Sequence, residues 1–87
     1  MELFSVVMSC AGRDQGKYFA VISNISDNYV GLADGQTRRL ENPKKKKVKH
    51  VKLISGSKAE QFDPALYDRP TNVKLKKYIH FVLNNNQ

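Results

Sequence analysis

Three apolar runs follow one another before Asp34: "LFSVVMSC" (3–10), "KYFAVISNI" (17–25) and "YVGLA" (29–33). Each is rich in β-branched and aromatic residues, and each is cut off by turn-forming residues before it reaches a length at which a helix is stable. Ala11-Gly12 closes the first run, Ser26-Asp27-Asn28 the second and the hairpin signal Asp34-Gly35 the third. In the second run Phe19, Val21 and Ile25 oppose Tyr18, Ala20 and Ile22, the pattern of a strand buried on much of both faces. Thr37 to Glu41 reads as a short fourth strand and Val48 to Ile54 as a fifth. Five short strands joined by a few residues each describe a mainly β chain, closed as a small antiparallel barrel, and closure removes exposed sheet edges.

The pattern changes after Gly56. Residues 57–70 read as a loop or linker through Pro64 and Pro70, and 71–87 as one amphipathic helix with a frayed tail. Leu75, Tyr78, Ile79, Val82 and Leu83 form its stripe, and Thr71 or Asn72 is its cap. The barrel itself spans 1–56. A chain of 87 residues holds a single domain and buries only about 60–65% of its unfolded surface.

Fifteen Lys and Arg against eight Asp and Glu give a net charge of +7, which favours partners dense in negative charge. Cys10 is the only cysteine, so the chain can form neither an internal disulfide nor a cysteine-cluster zinc site. In an apolar strand it reads as a small buried hydrophobe. No run approaches the ~18 apolar residues of a membrane span, and Glu2 stands where a signal peptide carries positive charge. The expected setting is cytoplasmic, or a nucleus reached from the cytoplasm.

Between the first two runs lies "CAGRDQGKY" (10–18), a tight, charged, glycine-flanked turn. Three duties compete for it: cradling a nucleotide phosphate, geometry alone, or presenting cations to a polyanion. A Walker loop fails on three counts, because Ala11 stands at its first glycine, Tyr18 replaces the magnesium-binding hydroxyl, and strand pattern follows in place of helix pattern. No other active site assembles. His50 and His80 lie in different elements without partners at ligand spacing, so neither metal nor cofactor is expected. Asp14, Asp27 and Asp34 fall in turns, where carboxylates bond the local backbone.

What remains is the cation pattern. Residues 13–52 carry ten cations (Arg13, Lys17, Arg38, Arg39, Lys44, Lys45, Lys46, Lys47, Lys49 and Lys52) against Asp14, Asp27, Asp34 and Glu41. If the first turn and a loop holding "KKKK" share one end of the barrel, they form a single basic rim suited to phosphates. A solvated loop that keeps the protein soluble and a nuclear-localisation address are the other readings of the lysine run. Tyr18, Tyr29 and Phe81 are candidates for stacking on bases, with core packing as their plainer role.

The segment "VVMSCAGRDQGKYFAVISNISDNYVGLADG", continued through "TRRLENPKKKKVKHV", resembles a KOW motif, and is similar to the KOW-bearing ribosomal proteins of the archaeal and eukaryotic large subunit and their short bacterial relatives. The likeness covers roughly residues 4–54. It implies an SH3-like barrel that binds RNA, usually ribosomal. Gly16 matches the glycine that marks the motif, Gly12, Arg13, Asp14 and Lys17 the turn around it, Arg38 and Arg39 the basic pair after the second hairpin, and His50 the late histidine. The length of the run Lys44 to Lys47 and the helix from Thr71 lie outside the motif and inherit no role. The expectation is a non-enzymatic, ribosomal-protein-like RNA-binding protein acting in translation. Gly12 and Gly16 shape its turn, Asp14 fixes that turn, and Arg13, Lys17, Tyr18, Arg38, Arg39, Lys44, Lys45, Lys46, Lys47 and Lys49 meet RNA. A protein-interaction module of the same fold and a KOW-type transcription-associated factor are the alternatives; membrane binding through Lys74, Lys76 and Lys77 ranks last, because the helix stripe has a core to cover.

Overall fold

The computed structural model describes residues 1–85; Asn86 and Gln87, the end of the expected frayed tail, lie outside them. Strands β1 (Val6–Ser9), β2 (Tyr18–Asn24), β3 (Tyr29–Ala33), β4 (Lys44–Lys47) and β5 (Val51–Ser55) are followed by helices α1 (Ala59–Phe62), α2 (Ala65–Asp68) and α3 (Asn72–Asn85). All neighbouring strands are antiparallel and the order is β4-β3-β2-β1-β5, with a 3-10 turn at Val48–His50 carrying the chain from one edge strand to the other. This is the layout of a small SH3-like barrel. The register slips between Val21 and Ser23 on β2 and between Val6 and Val7 on β1, irregularities of the kind that help a small sheet curl.

Period-two alternation divides the sheet between two cores. Val7, Phe19, Val21, Val30 and Leu32 point inside the curl, with Val48 and Val51 packed against them. Val6, Ala20 and Ala33 point the other way, against Ala59, Leu66, Leu75, Tyr78, Ile79 and Val82 of the helical layer. That is why β2 is apolar on both faces: Phe19, Ala20 and Val21 are all buried.

The helix stripe docks as expected, and Thr71 caps α3 by accepting a hydrogen bond from the Lys74 N–H at 3.1 Å. Tyr78 spans the junction, its hydroxyl donating to the Phe4 carbonyl and accepting from the Lys58 N–H. Phe4 takes a φ of 65°, rare for a bulky residue, and edge-on contacts with Tyr67 and Tyr78 hold it there.

The structure departs from the sequence reading in several places. Residues 37–41 form no strand, because the backbone there is bonded outside the sheet: the Arg38 carbonyl accepts from Asp34 and Gly35, and the Leu40 N–H donates to the Asn72 side chain at 2.8 Å. The fourth strand is the lysine run itself, which reads in sequence as a loop. The fifth strand starts at Val51 after the 3-10 turn. Residues 57–70 contain the one-turn helices α1 and α2, which bury Ala59 and Leu66. Cys10 falls one residue past the end of β1 and is exposed, not buried. Ile25, likewise, lies beyond β2 and is half exposed.

Candidate nucleic-acid interface

The first turn reverses the chain in eight residues through two left-handed glycines, Gly12 at φ 84° and Gly16 at φ 87°. Ser9 and Lys17 pair at its base through the Ser9 N–H, and the Gly16 N–H donates back to the Ser9 carbonyl at 2.8 Å. Within this loop Asp14 is folded inward and buried. Its Oδ1 accepts from the Ser9 hydroxyl at 2.7 Å and from the Lys46 ammonium at 2.9 Å, while Oδ2 faces the Lys44 ammonium at 3.0 Å. Burial by itself would raise the Asp14 carboxyl; the hydrogen bonds from Lys46 and Ser9, with the Lys44 ammonium beside Oδ2, outweigh it and hold the group well below the ordinary carboxylate range.

Strand geometry explains why two of the four lysines reach this carboxylate. Lys44 and Lys46 are two apart on β4, opposite Leu32 and Val30, and so share the inner face with those residues. Lys46 is 7% exposed, and its ammonium also donates to the Ala11 carbonyl at 2.6 Å. Lys45 and Lys47 point outward, where the Lys45 ammonium lies 4.5 Å from the centre of the Tyr29 ring. Four identical residues thus carry two jobs. The inner pair fixes the turn, and the outer pair stays exposed.

Around the buttressed turn, Arg13, Lys17, Arg38 and Lys44 line one cleft of about 230 Å³ with Asp14, Phe19 and Thr37. Arg13 and Lys17 come from the turn, Arg38 from the loop after Gly35, and Lys44 from the start of β4. Arg13 and Lys17 are exposed and Arg38 half-buried. Asp34 sets the Arg38 loop: its Oδ1 accepts from the backbone N–H of Gln36 and Arg38, and Oδ2 from the Thr37 hydroxyl. Burial pushes the Asp34 carboxyl up, and these bonds bring it below its ordinary value.

The other expected contact residues lie apart from this cleft. Arg39 pairs with Glu41 at 3.1 Å, and Glu41, held below its usual range by the Asn72 amide and then by Arg39, ties that loop to the start of α3. Lys47 and Lys49 line a different groove with Asn28 and Tyr29. Tyr18 is exposed and lines a recess against α3. Phe81 packs against Phe62 with ring centres 5.3 Å apart, so it belongs to the helical core. Lys46, the one buried lysine of the run, is a structural cation and offers no free charge to a ligand.

Sequence reading misses three contributors. Ser9 supplies a hydroxyl to Asp14 from a strand position that carries only apolar signal, and Lys76 and His80 of α3 come to the Tyr18 recess. Their spacing of four puts both on one helix face, but only the docking angle brings that face to the turn. Among the described residues, no helix is long and apolar enough to cross a membrane, and no group of three or more His, Cys, Asp or Glu is placed to hold a metal ion. No protein-family model and no curated protein matches the chain.

Proposed function

We propose that this protein is a non-enzymatic RNA-binding module of the KOW type, ribosome-associated and gripping the sugar-phosphate chain of structured RNA by shape and charge. The observation that carries this reading is the convergence of Arg13, Lys17, Arg38 and Lys44 on one cleft beside a turn held rigid by a buried carboxylate. Cations on a preorganised loop lose little freedom on binding, and arginine forks take phosphate oxygens bidentately. Lys44 is shared with Asp14, so Arg13, Lys17 and Arg38 supply most of the attraction. The outer lysines Lys45 and Lys47, with Lys49, extend the positive field beyond the cleft and steer association. Cytoplasm is the setting where such a partner is abundant.

The experiment is crosslinking in cells followed by sequencing of the bound RNA, comparing the intact protein with a form carrying Arg13→Ala, Lys17→Ala and Arg38→Ala. Enrichment of ribosomal RNA that disappears in the variant supports the reading. An unchanged crosslink pattern moves the interface elsewhere, and protein partners that persist after thorough nuclease treatment point to a protein-interaction module.

A further inference from the structure

A second recess adjoins the cationic cleft, between α3 and the loop that follows Gly35. It holds about 250 Å³ and is lined by Tyr18, Ile79, His80 and Leu83, with Lys17 and Lys76 also on its wall. Ile79 and Leu83 are one helical turn apart, as are Lys76 and His80, so α3 offers an apolar row beside a polar row to the exposed Tyr18 ring. The volume falls below the roughly 300–1,000 Å³ of a drug-sized pocket and suits a single planar ring system.

We infer that this recess receives one unpaired RNA base, stacked on Tyr18 and His80 over Ile79 and Leu83. The inference rests on the RNA-binding reading above and names the part of the RNA that the α3 side of the surface takes. Three features favour a nucleobase. Two flat side chains, the Tyr18 phenol and the His80 imidazole, line the recess together with the aliphatic Ile79 and Leu83, a combination that suits the apolar faces of a base. Gln36 and Thr37 line the same recess: the Gln36 side-chain amide can donate to or accept from a base edge, and the Thr37 hydroxyl, whose proton goes to Asp34, can accept, while the Asp34 oxygens are already taken by Gln36, Thr37 and Arg38. Lys17 and Thr37 line both this recess and the cationic cleft, so a chain whose phosphates lie along Arg13, Lys17 and Arg38 has its next base beside Tyr18. A base paired inside a helix cannot enter; one from a bulge, loop or single-stranded end can.

Two RNAs test this: a hairpin stem with a one-nucleotide bulge bearing a fluorescent adenine analogue, and the same stem fully paired. The protein is expected to bind the bulged RNA about tenfold more tightly, the size of one base stack, with a change in analogue emission on saturation. His80→Ala and Tyr18→Ala bring the ratio of the two affinities close to one, and Tyr18→Phe preserves it. Arg38→Ala weakens both RNAs and leaves the ratio in place. Tyr18 and His80 are exposed, so their truncation leaves both cores intact, which a thermal melt of each variant verifies. Equal affinity for the two RNAs overturns the base site and leaves the phosphate cleft standing. A preference that survives both alanine variants also overturns it. Binding to neither RNA at low salt overturns the RNA-binding reading, and this inference with it.

Discussion

The turn at Gly12 to Lys17 and the turn at Asp34 to Arg38 share one grammar, an inward aspartate, a left-handed glycine and basic residues beyond, yet they are held in opposite ways. Asp34 bonds Gln36, Thr37 and Arg38, all within four residues. Asp14 is gripped by Lys46, 32 residues further along the chain, and by Lys44 beside it. A local clamp stabilises a turn wherever the turn sits. A remote clamp also fastens β4 to the β1–β2 end of the barrel, so the geometry of the cationic cleft depends on the register of a strand made wholly of lysine.

The sharpest way to break this comparison is to remove each carboxylate. Asp14→Ala strands the Lys46 ammonium in a buried site, and the expected loss is about 3–5 kcal/mol, a large share of the stability of so small a domain. Replacing both partners, Asp14→Leu with Lys46→Met, should recover much of that loss. Next comes Gly35→Ala, expected to cost more than the roughly 1–2 kcal/mol of a left-handed residue, because its Cβ would collide with the Asn72 carbonyl oxygen. Asp34→Ala follows at about 1–3 kcal/mol, for backbone N–H groups left without their acceptor. Gly16→Ala is smaller, about 1 kcal/mol for the left-handed backbone alone, since its Cβ would enter open space. Urea unfolding of the four alanine variants ranks them, and an Asp34→Ala loss equal to that of Asp14→Ala would erase the distinction between the clamps.

Acid provides a gentler probe of the same contrast. Both carboxyls are depressed in the folded protein, so their stabilisation is fully present above the unfolded value of about 3.9 and is lost as pH falls towards the folded values. In that window the unfolded chain binds protons that the folded chain does not. Lowering the pH from neutral to about 3 should therefore shift the urea midpoint down, with a smaller shift in Asp14→Asn and an intermediate one in Asp34→Asn. A midpoint equally acid-sensitive in Asp14→Asn and the parent would assign the effect to other carboxylates.

The difference between the clamps also marks what the amino-acid order makes legible. β1, β2 and β3 announce themselves through β-branched runs cut by glycine and asparagine, and the α3 stripe through its spacing. A run of four lysines has no hydropathy period, so nothing in it distinguishes the inner Lys44 and Lys46 from the outer Lys45 and Lys47; the pairing with β3 creates that distinction. Residues 37–41 mimic a strand because Thr37 and Leu40 fit a β pattern, while their surroundings are claimed by Asp34 and Asn72. Helices of one turn, such as α1 and α2, are too short to show a period at all. The cations of the candidate site are legible as a set from charge alone. Which of them stand around one cleft, and that α3 adds Lys76 and His80 beside it, follows only from the way the sheet curls and the helix docks.

If Arg13, Lys17 and Arg38 act together on phosphates, as proposed, the salt dependence of RNA binding measures it most directly. Fluorescence anisotropy with a structured ribosomal RNA fragment should give a linear fall of log affinity with log salt. The variant with all three cations replaced by alanine should have a slope shallower by about 2–3, nearly one unit for each phosphate that goes without its cation. A slope unchanged in a folded triple variant would contradict the account, as would binding by the intact protein that is indifferent to salt.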